Sequence, residues 1–108
     1  MKVNILGAEY EIIKQKKEDN PKLEDASGLC EIYAHKIIIR DYDHDDLHVF
    51  DNIEAYDKQV LRHEIAHAFF AESGLRNNSN YAEDEELVDW IAIQFPKLLK
   101  AFEEVGAL

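Results

Sequence analysis

The sequence predicts an α+β fold in which a small antiparallel β-sheet, made of two hairpins, packs against two helices. Strand-like alternation of apolar and polar residues is confined to the first 40 positions, whereas helix-like periodicity begins near residue 52. The length of 108 residues suits one hydrophobic core. We therefore expect a single domain spanning residues 1–108.

The first hairpin is predicted from two short alternating segments on either side of a Gly-Ala pair. Val3 and Ile5 alternate with polar neighbours, and Tyr10 and Ile12 repeat the pattern after the pair. Period-two alternation across a short connection is typical of a β-hairpin. The charged stretch from residue 16 to 25 has no apolar period and is expected to be a loop, with room for one helical turn.

A second hairpin is expected from Leu29 to Tyr33 and from Lys36 to Arg40, which are rich in β-branched and aromatic residues. The second segment contains three consecutive isoleucines, Ile37 to Ile39. Such a run indicates a strand buried on both faces, or a strand with an apolar outer face on which something docks. The first interpretation is the simpler one.

A long helix is predicted to start at Asp51 and Asn52 and to end near Ser73. Glu54 would lie in its first turn, near the positive end of the helix dipole, and Gly74 is placed to stop it. The expected core-facing side carries Leu61, Ile65, Ala68 and Phe69.

A second helix is expected from Asn80, as the N-cap with Glu83 three residues later, to about Phe95. Pro96 would either kink this helix or begin a third one. The packing face predicted for this terminal part consists of Leu98, Leu99, Phe102 and Val105.

The first predicted helix carries a His-Glu-x-x-His pattern. His63 and His67 lie four residues apart, so their rings emerge one turn apart on one face and can bind one ion. Zinc suits such a pair and leaves a position for water in catalytic sites. Glu64 would lie beside this water as the general base, and the pattern thus predicts a catalytic Zn²⁺ site.

A third ligand is expected from the acidic start of the second predicted helix. Glu85 and Asp89 are four residues apart, which would let one carboxylate bind the metal while the other orients a ligand histidine. This spacing favours Glu85 over Glu86 without excluding the latter. The candidates are Glu83, Asp84, Glu85, Glu86 and Asp89.

Composition restricts the partners and the compartment. A formal net charge of -11 opposes binding to a phosphate backbone, so nucleic acid is not expected as a partner. Cys30 is the single cysteine, which excludes an intramolecular disulfide. We find neither the apolar stretch of a signal peptide nor a membrane span. A cytoplasmic protein without a membrane partner is therefore expected.

The motifs His63-Glu64-Ile65-Ala66-His67-Ala68 and Glu85-Glu86-Leu87-Val88-Asp89-Trp90-Ile91-Ala92 resemble those of the gluzincin metallopeptidases. Within these, the chain is most similar to the small ImmA/IrrE-like proteins of bacteria, phages and mobile elements. The resemblance implies a minimal zincin-like domain with His63, His67 and Glu85 as zinc ligands. It also implies Glu64 as the general base and Asp89 as the partner of a ligand histidine.

The same resemblance implies that substrate binds along the edge strand before the motif helix, here Lys36 to Arg40. It further implies a residue that stabilises the oxyanion, for which the candidates are Tyr81, Tyr56, His35 and His48.

We therefore expect a zinc-dependent metalloendopeptidase that hydrolyses a protein or peptide substrate with a zinc-activated water and Glu64 as general base. The alternative is a non-catalytic, zinc-binding regulatory or adaptor module with a metalloprotease-like fold. Cleavage should require both Glu64 and zinc in the first case, and it should not occur in the second.

Overall fold

Four strands form one mixed sheet in the computed structural model, which describes residues 1–42 and 52–108. The spatial order of the strands is β1-β2-β4-β3. The pairs β1–β2 and β3–β4 are antiparallel, which confirms the two predicted hairpins. The strands are β1 (Lys2–Ile5), β2 (Ala8–Gln15), β3 (Gly28–Glu31) and β4 (Lys36–Arg40).

The expectation of a wholly antiparallel sheet was wrong, because β2 and β4 are parallel, with Ile12 opposite Ile37. The two hairpins are local structures, whereas their junction depends on where the connection between them runs. This connection includes a short 3₁₀ helix, Pro21–Glu24, and it lets the chain start β3 at the far edge of the sheet. Strand β4 then returns between β3 and β2, in the direction of β2.

Strand β4 is an interior strand, so the expectation that Lys36 to Arg40 forms the substrate-binding edge was also wrong. Its three isoleucines are buried, which confirms the interpretation of a strand covered on both faces. Ile37 and Ile39 belong to the core cluster with Ile5 and Tyr10. The edges of the sheet are instead formed by β1 and β3.

Helix α1 (Ile53–Glu72) confirms the first predicted helix. Asn52 is its N-cap, whose side-chain oxygen accepts from the Ala55 amide at 3.1 Å, while Asp51 lies outside the described residues. Gly74 follows the helix with a φ of 83°, a conformation that glycine adopts without strain.

The face of α1 that packs on the sheet is slightly rotated from the predicted one. Ala68 is fully buried in the core cluster, and Leu61 and Ile65 pack partly against it. Phe69 was expected in the core but is 44% exposed. It lies about 100° further round the helix than Ala68 and thus outside the contact with the sheet.

The second predicted helix starts later than expected. After a short helix α2 (Leu75–Asn78), residues Asn80–Glu83 form a 3₁₀ helix, and α3 spans Glu85–Glu104. Its N-cap is Asp84 rather than Asn80, because the Asp84 carboxylate accepts from the backbone amides of Glu86 and Leu87. The helix continues through Pro96, so no third helix starts there.

Arg62 links the two long helices at the position that Pro96 disrupts. A proline at position 96 has no N–H to donate to the carbonyl of Ala92, four residues earlier. The Arg62 Nε donates to this carbonyl oxygen instead, at 2.6 Å, and Ala92 is buried. The bond therefore satisfies a backbone acceptor and joins α1 to α3.

Replacing Arg62 with methionine, which keeps the aliphatic stem, should lower the free energy of unfolding by about 1–3 kcal/mol because a buried carbonyl loses its donor. In a Pro96→Ala background the cost should shrink by roughly 1 kcal/mol or more, since residue 96 can then donate to Ala92. Urea denaturation of the four metal-free proteins measures this coupling. If the costs of the two substitutions are strictly additive, Arg62 does not replace the hydrogen bond that Pro96 cannot make. Lys97→Met serves as an exposed control on α3.

The predicted terminal packing face is only partly covered. Leu98 and Leu99 are half-buried, whereas Phe102 is 39% and Val105 is 77% exposed. The last turns of α3 therefore leave apolar side chains exposed in the described part of the chain. Within residues 1–42 and 52–108, no helix is both long and apolar enough to cross a bilayer.

Candidate metal centre

An open cleft of about 510 Å³ lies where β3, α1 and the start of α3 meet. Strand β3 forms one wall, α1 contributes the floor, and α3 brings acidic side chains to the opposite side. The residues of the lining that bear on its chemistry are Gly28, Cys30, Tyr56, His63, Glu64, His67, Arg76, Glu85 and Asp89.

His63 and His67 direct the same ring nitrogen at one point. Their Nε2 atoms are 3.1 Å apart, and the Glu85 carboxylate lies 3.0 Å from each of these nitrogens. Ligands at 2.0–2.1 Å from a tetrahedral zinc ion would be about 3.3 Å from one another. The three side chains therefore already approach the spacing of a zinc ligand set, and this group is compatible with a metal ion.

The acidic residues at the start of α3 have different partners, and Glu85 is the one that joins the two histidines. Asp84 caps the helix, and Glu83 pairs with Arg76 at 3.5 Å. Glu86 is exposed and lies outside the cleft lining. Glu85 is the candidate whose two carboxylate oxygens reach the two histidines.

Asp89 occupies the position that the sequence suggested for it. Its Oδ1 is 2.7 Å from Nδ1 of His63, one turn along α3 from Glu85. A carboxylate on Nδ1 fixes the imidazole tautomer that leaves Nε2 free to bind a metal. Asp89 thus orients one histidine while Glu85 faces both.

Glu64 is the buried acidic residue of the cleft, with an exposed fraction of 5%. Burial raises its pKa from the usual value of 4.5 to about 7, and the nearby carboxylates of Glu85 and Asp89 add to the rise, while His63 opposes it. A carboxylate with a pKa near neutrality can both accept and return a proton. The pKa of His67 is lowered by burial, which favours the neutral imidazole that metals bind.

Gly28 allows the edge strand to lie against Glu64. A Cβ atom at this position would be 2.7 Å from Cγ1 of Val60 and 3.0 Å from Cγ of Glu64, both closer than ordinary contact. The absence of a side chain at residue 28 therefore brings the backbone of β3 next to the Glu64 side chain.

The outer edge of β3 offers backbone groups to the cleft. Ser27 accepts from the amide of Arg40, directly opposite in the antiparallel pair, at 2.8 Å. Because hydrogen-bonded and non-hydrogen-bonded pairs alternate, Gly28 and Cys30 must direct their N–H and C=O groups away from β4. An extended peptide lying in the cleft could bond to these groups.

The expected oxyanion residues are not all at the cleft. Tyr56 lines it, with its hydroxyl 2.7 Å from Ser27 Oγ. Tyr81 is 53% exposed and outside the lining. His35 lies in a separate pocket, stacked on Tyr10, and His48 is outside the described residues.

Arg76 is a cleft residue that the sequence did not indicate. It lies nine positions after His67 in a polar segment, and only the turn at Gly74 and helix α2 bring it back to the cleft. No periodic or motif signal marks such a position.

Comparisons of the chain with models of known protein families, with curated proteins and with solved structures give no match. Its function must therefore be inferred from the residues and geometry of the cleft.

Proposed function

We propose that this protein is a zinc-dependent metallopeptidase that cleaves protein or peptide substrates. The single observation that supports this most strongly is the convergence of three donor atoms, from His63, His67 and Glu85, at an open cleft beside a buried Glu64. Two imidazoles and one carboxylate are a common ligand set of catalytic zinc.

The donor set fits zinc in chemistry and in spacing. Two neutral imidazole nitrogens and a carboxylate oxygen suit an ion of intermediate hardness. When bound, zinc would lower the pKa of a coordinated water towards neutrality and polarise a substrate carbonyl. His63, His67 and Glu85 would hold the ion, with Asp89 orienting His63 through Nδ1.

Glu64 would move the protons of the reaction. Its carboxylate would accept a proton from the attacking water and return it to the amine that leaves when the peptide bond breaks. A pKa of about 7 in the metal-free protein places this group in the range where both transfers are efficient. Its burial between β3 and α1 would hold the carboxylate in place.

The free edge of β3 would bind the substrate as an additional strand. The outward backbone groups of Gly28 and Cys30 pair with an extended peptide through main-chain hydrogen bonds, which require no particular side chain. The substrate strand therefore moves from β4, where the family resemblance placed it, to β3. Because Gly28 contacts Glu64, a peptide on this edge would pass directly over the general base.

The spacing of Glu85 and Asp89 on α3 supports the resemblance to gluzincins and, among these, to the ImmA/IrrE-like metallopeptidases of phages and mobile elements. In this proposal the sheet, α1 and α3 form a minimal zincin-like domain. The observed order of strands followed by helices is compatible with it.

Zinc titration and a broad peptide digest test the proposal together. The metal-free protein should bind about one zinc ion per chain, and the loaded protein should cleave unstructured peptides that mass spectrometry detects. Chelation should stop cleavage and added zinc should restore it. Full zinc binding without any cleavage would contradict the peptidase and favour a non-catalytic module.

A further inference from the structure

Arg76 is the only lysine or arginine that lines the cleft in the described part of the chain. Its Nε pairs with Glu83 at 3.5 Å, and among residues 1–42 and 52–108 no acceptor bonds to its two Nη groups. Its side chain is 43% exposed. The guanidinium therefore keeps donors available to a ligand in the cleft.

Successive residues of β3 lie beside successive positions of α1, so the two elements run in the same direction and the cleft has two distinct ends. At one end, Ser27 contacts Tyr56. In the middle, Gly28 lies against Glu64. At the other end, Arg76 lines the cleft together with Cys30 and Ile32, and it also lines a neighbouring pocket with Ile32.

The direction of a bound peptide follows from these ends. Antiparallel pairing is slightly more stable per residue than parallel pairing, so we take the peptide as antiparallel to β3. A peptide antiparallel to β3 has its amino-terminal side near Cys30 and Ile32. Cys30 and Ile32 lie two and four residues after Gly28, so the peptide reaches Arg76 roughly two to four residues before the bond that lies over Glu64.

On this basis, which rests on the proposed function, we infer that Arg76 selects substrates with an acidic side chain two to four residues before the cleaved bond. The guanidinium can form two parallel hydrogen bonds with the carboxylate of a peptide Glu. The amide of Gln and the ammonium group of Lys cannot accept such a pair of bonds. Of the acidic groups of the cleft, Glu85 faces the histidines and Asp89 bonds to His63, while Glu64 is buried in the middle of the cleft.

The net charge of -11 makes this selectivity local. The field of the whole chain repels an acidic peptide at long range, so Arg76 should act on the bound complex rather than on the rate of encounter. A preference for Glu at one position, in an otherwise neutral or basic peptide, is the expected pattern.

The test uses amidated peptides in which a single Glu, Gln or Lys is moved along a neutral sequence. Binding is measured by fluorescence anisotropy with the zinc-loaded Glu64→Gln protein, and cleavage with the unaltered protein. The best Glu peptide should bind about tenfold or more tightly than its Gln counterpart. Arg76→Gln should remove this preference, Arg76→Lys should retain part of it, and Arg76→Glu should shift it to Lys.

Lys97→Gln removes an exposed charge on α3 outside the cleft and should leave the preference unchanged. The inference is overturned if Arg76→Gln keeps the Glu preference or if no peptide binds. Binding with the Glu preference but without cleavage would support Arg76 and contradict the peptidase. Cleavage without a Glu preference would support the peptidase and contradict the role of Arg76.

Discussion

Replacing Glu64 with glutamine is expected to abolish measurable peptide hydrolysis while zinc binding stays intact. The carboxylate is not one of the three converging donors, so its loss leaves His63, His67 and Glu85 in place. Removing a general base typically costs about 10²–10⁴ in rate. Cleavage by the zinc-loaded variant, followed by mass spectrometry over long incubation, measures the effect.

Glutamine is nearly isosteric with glutamate and keeps the contact with Gly28. The variant should therefore show the same zinc stoichiometry and the same peptide binding as the unaltered protein. Hydrolysis that persists at a comparable rate would remove Glu64 from the mechanism. A parallel loss of zinc would instead mean that the carboxylate helps to hold the ion.

The same substitution should stabilise the metal-free protein at neutral pH. A loss of activity in Glu64→Gln would then not be caused by unfolding. Burial raises the pKa of Glu64 from 4.5 to about 7, so the folded state holds a proton that the unfolded state has released. The resulting penalty grows between pH 4.5 and 7 and is complete above pH 7, where it amounts to about 3 kcal/mol. Urea denaturation of the two metal-free proteins measures this effect. Glu64→Gln should be more stable than the unaltered protein at about pH 8, and the difference should be small at about pH 5.

The relative positions of the residues at the candidate site were more predictable than the surrounding fold. His63, Glu64 and His67 lie on one helix, so their relative positions follow from helix geometry alone. Glu85 required the fold, because the sequence offers several acidic residues in one turn. In the structure these residues have different partners, since Asp84 caps α3, Glu83 pairs with Arg76, and Glu85 faces the histidines.

The features that the sequence did not predict depend on long-range packing. The parallel pairing of β2 with β4 joins two hairpins that are each locally encoded, and nothing within either hairpin specifies it. That pairing makes β3 the edge strand beside the candidate metal centre. Arg76 was missed for a similar reason, since its place in the cleft depends on the turn after α1.

Zinc affinity should fall in a graded order when the residues around the ion are changed one at a time. His67→Ala should have the largest effect, because it removes a donor that lies 3.1 Å from His63 Nε2 and 3.0 Å from Glu85. Loss of a residue that only orients a ligand costs about 10–100-fold in affinity, so loss of a ligand should cost more than about 100-fold. Competition with a chromophoric zinc chelator measures these values.

Asp89→Asn and the pair Glu85→Gln and Glu86→Gln complete the series. Asp89→Asn keeps the shape of the side chain but not its charge, so it should weaken binding by about 10–100-fold through His63. Glu85→Gln should weaken it further, whereas Glu86→Gln, next to it on the same turn, should have no effect. Because the last two variants change the net charge equally, their difference isolates the position of the carboxylate. Equal losses for Glu85→Gln and Glu86→Gln would mean that the acidic turn attracts zinc only through its charge. Unchanged zinc affinity in His67→Ala would exclude the metal centre itself.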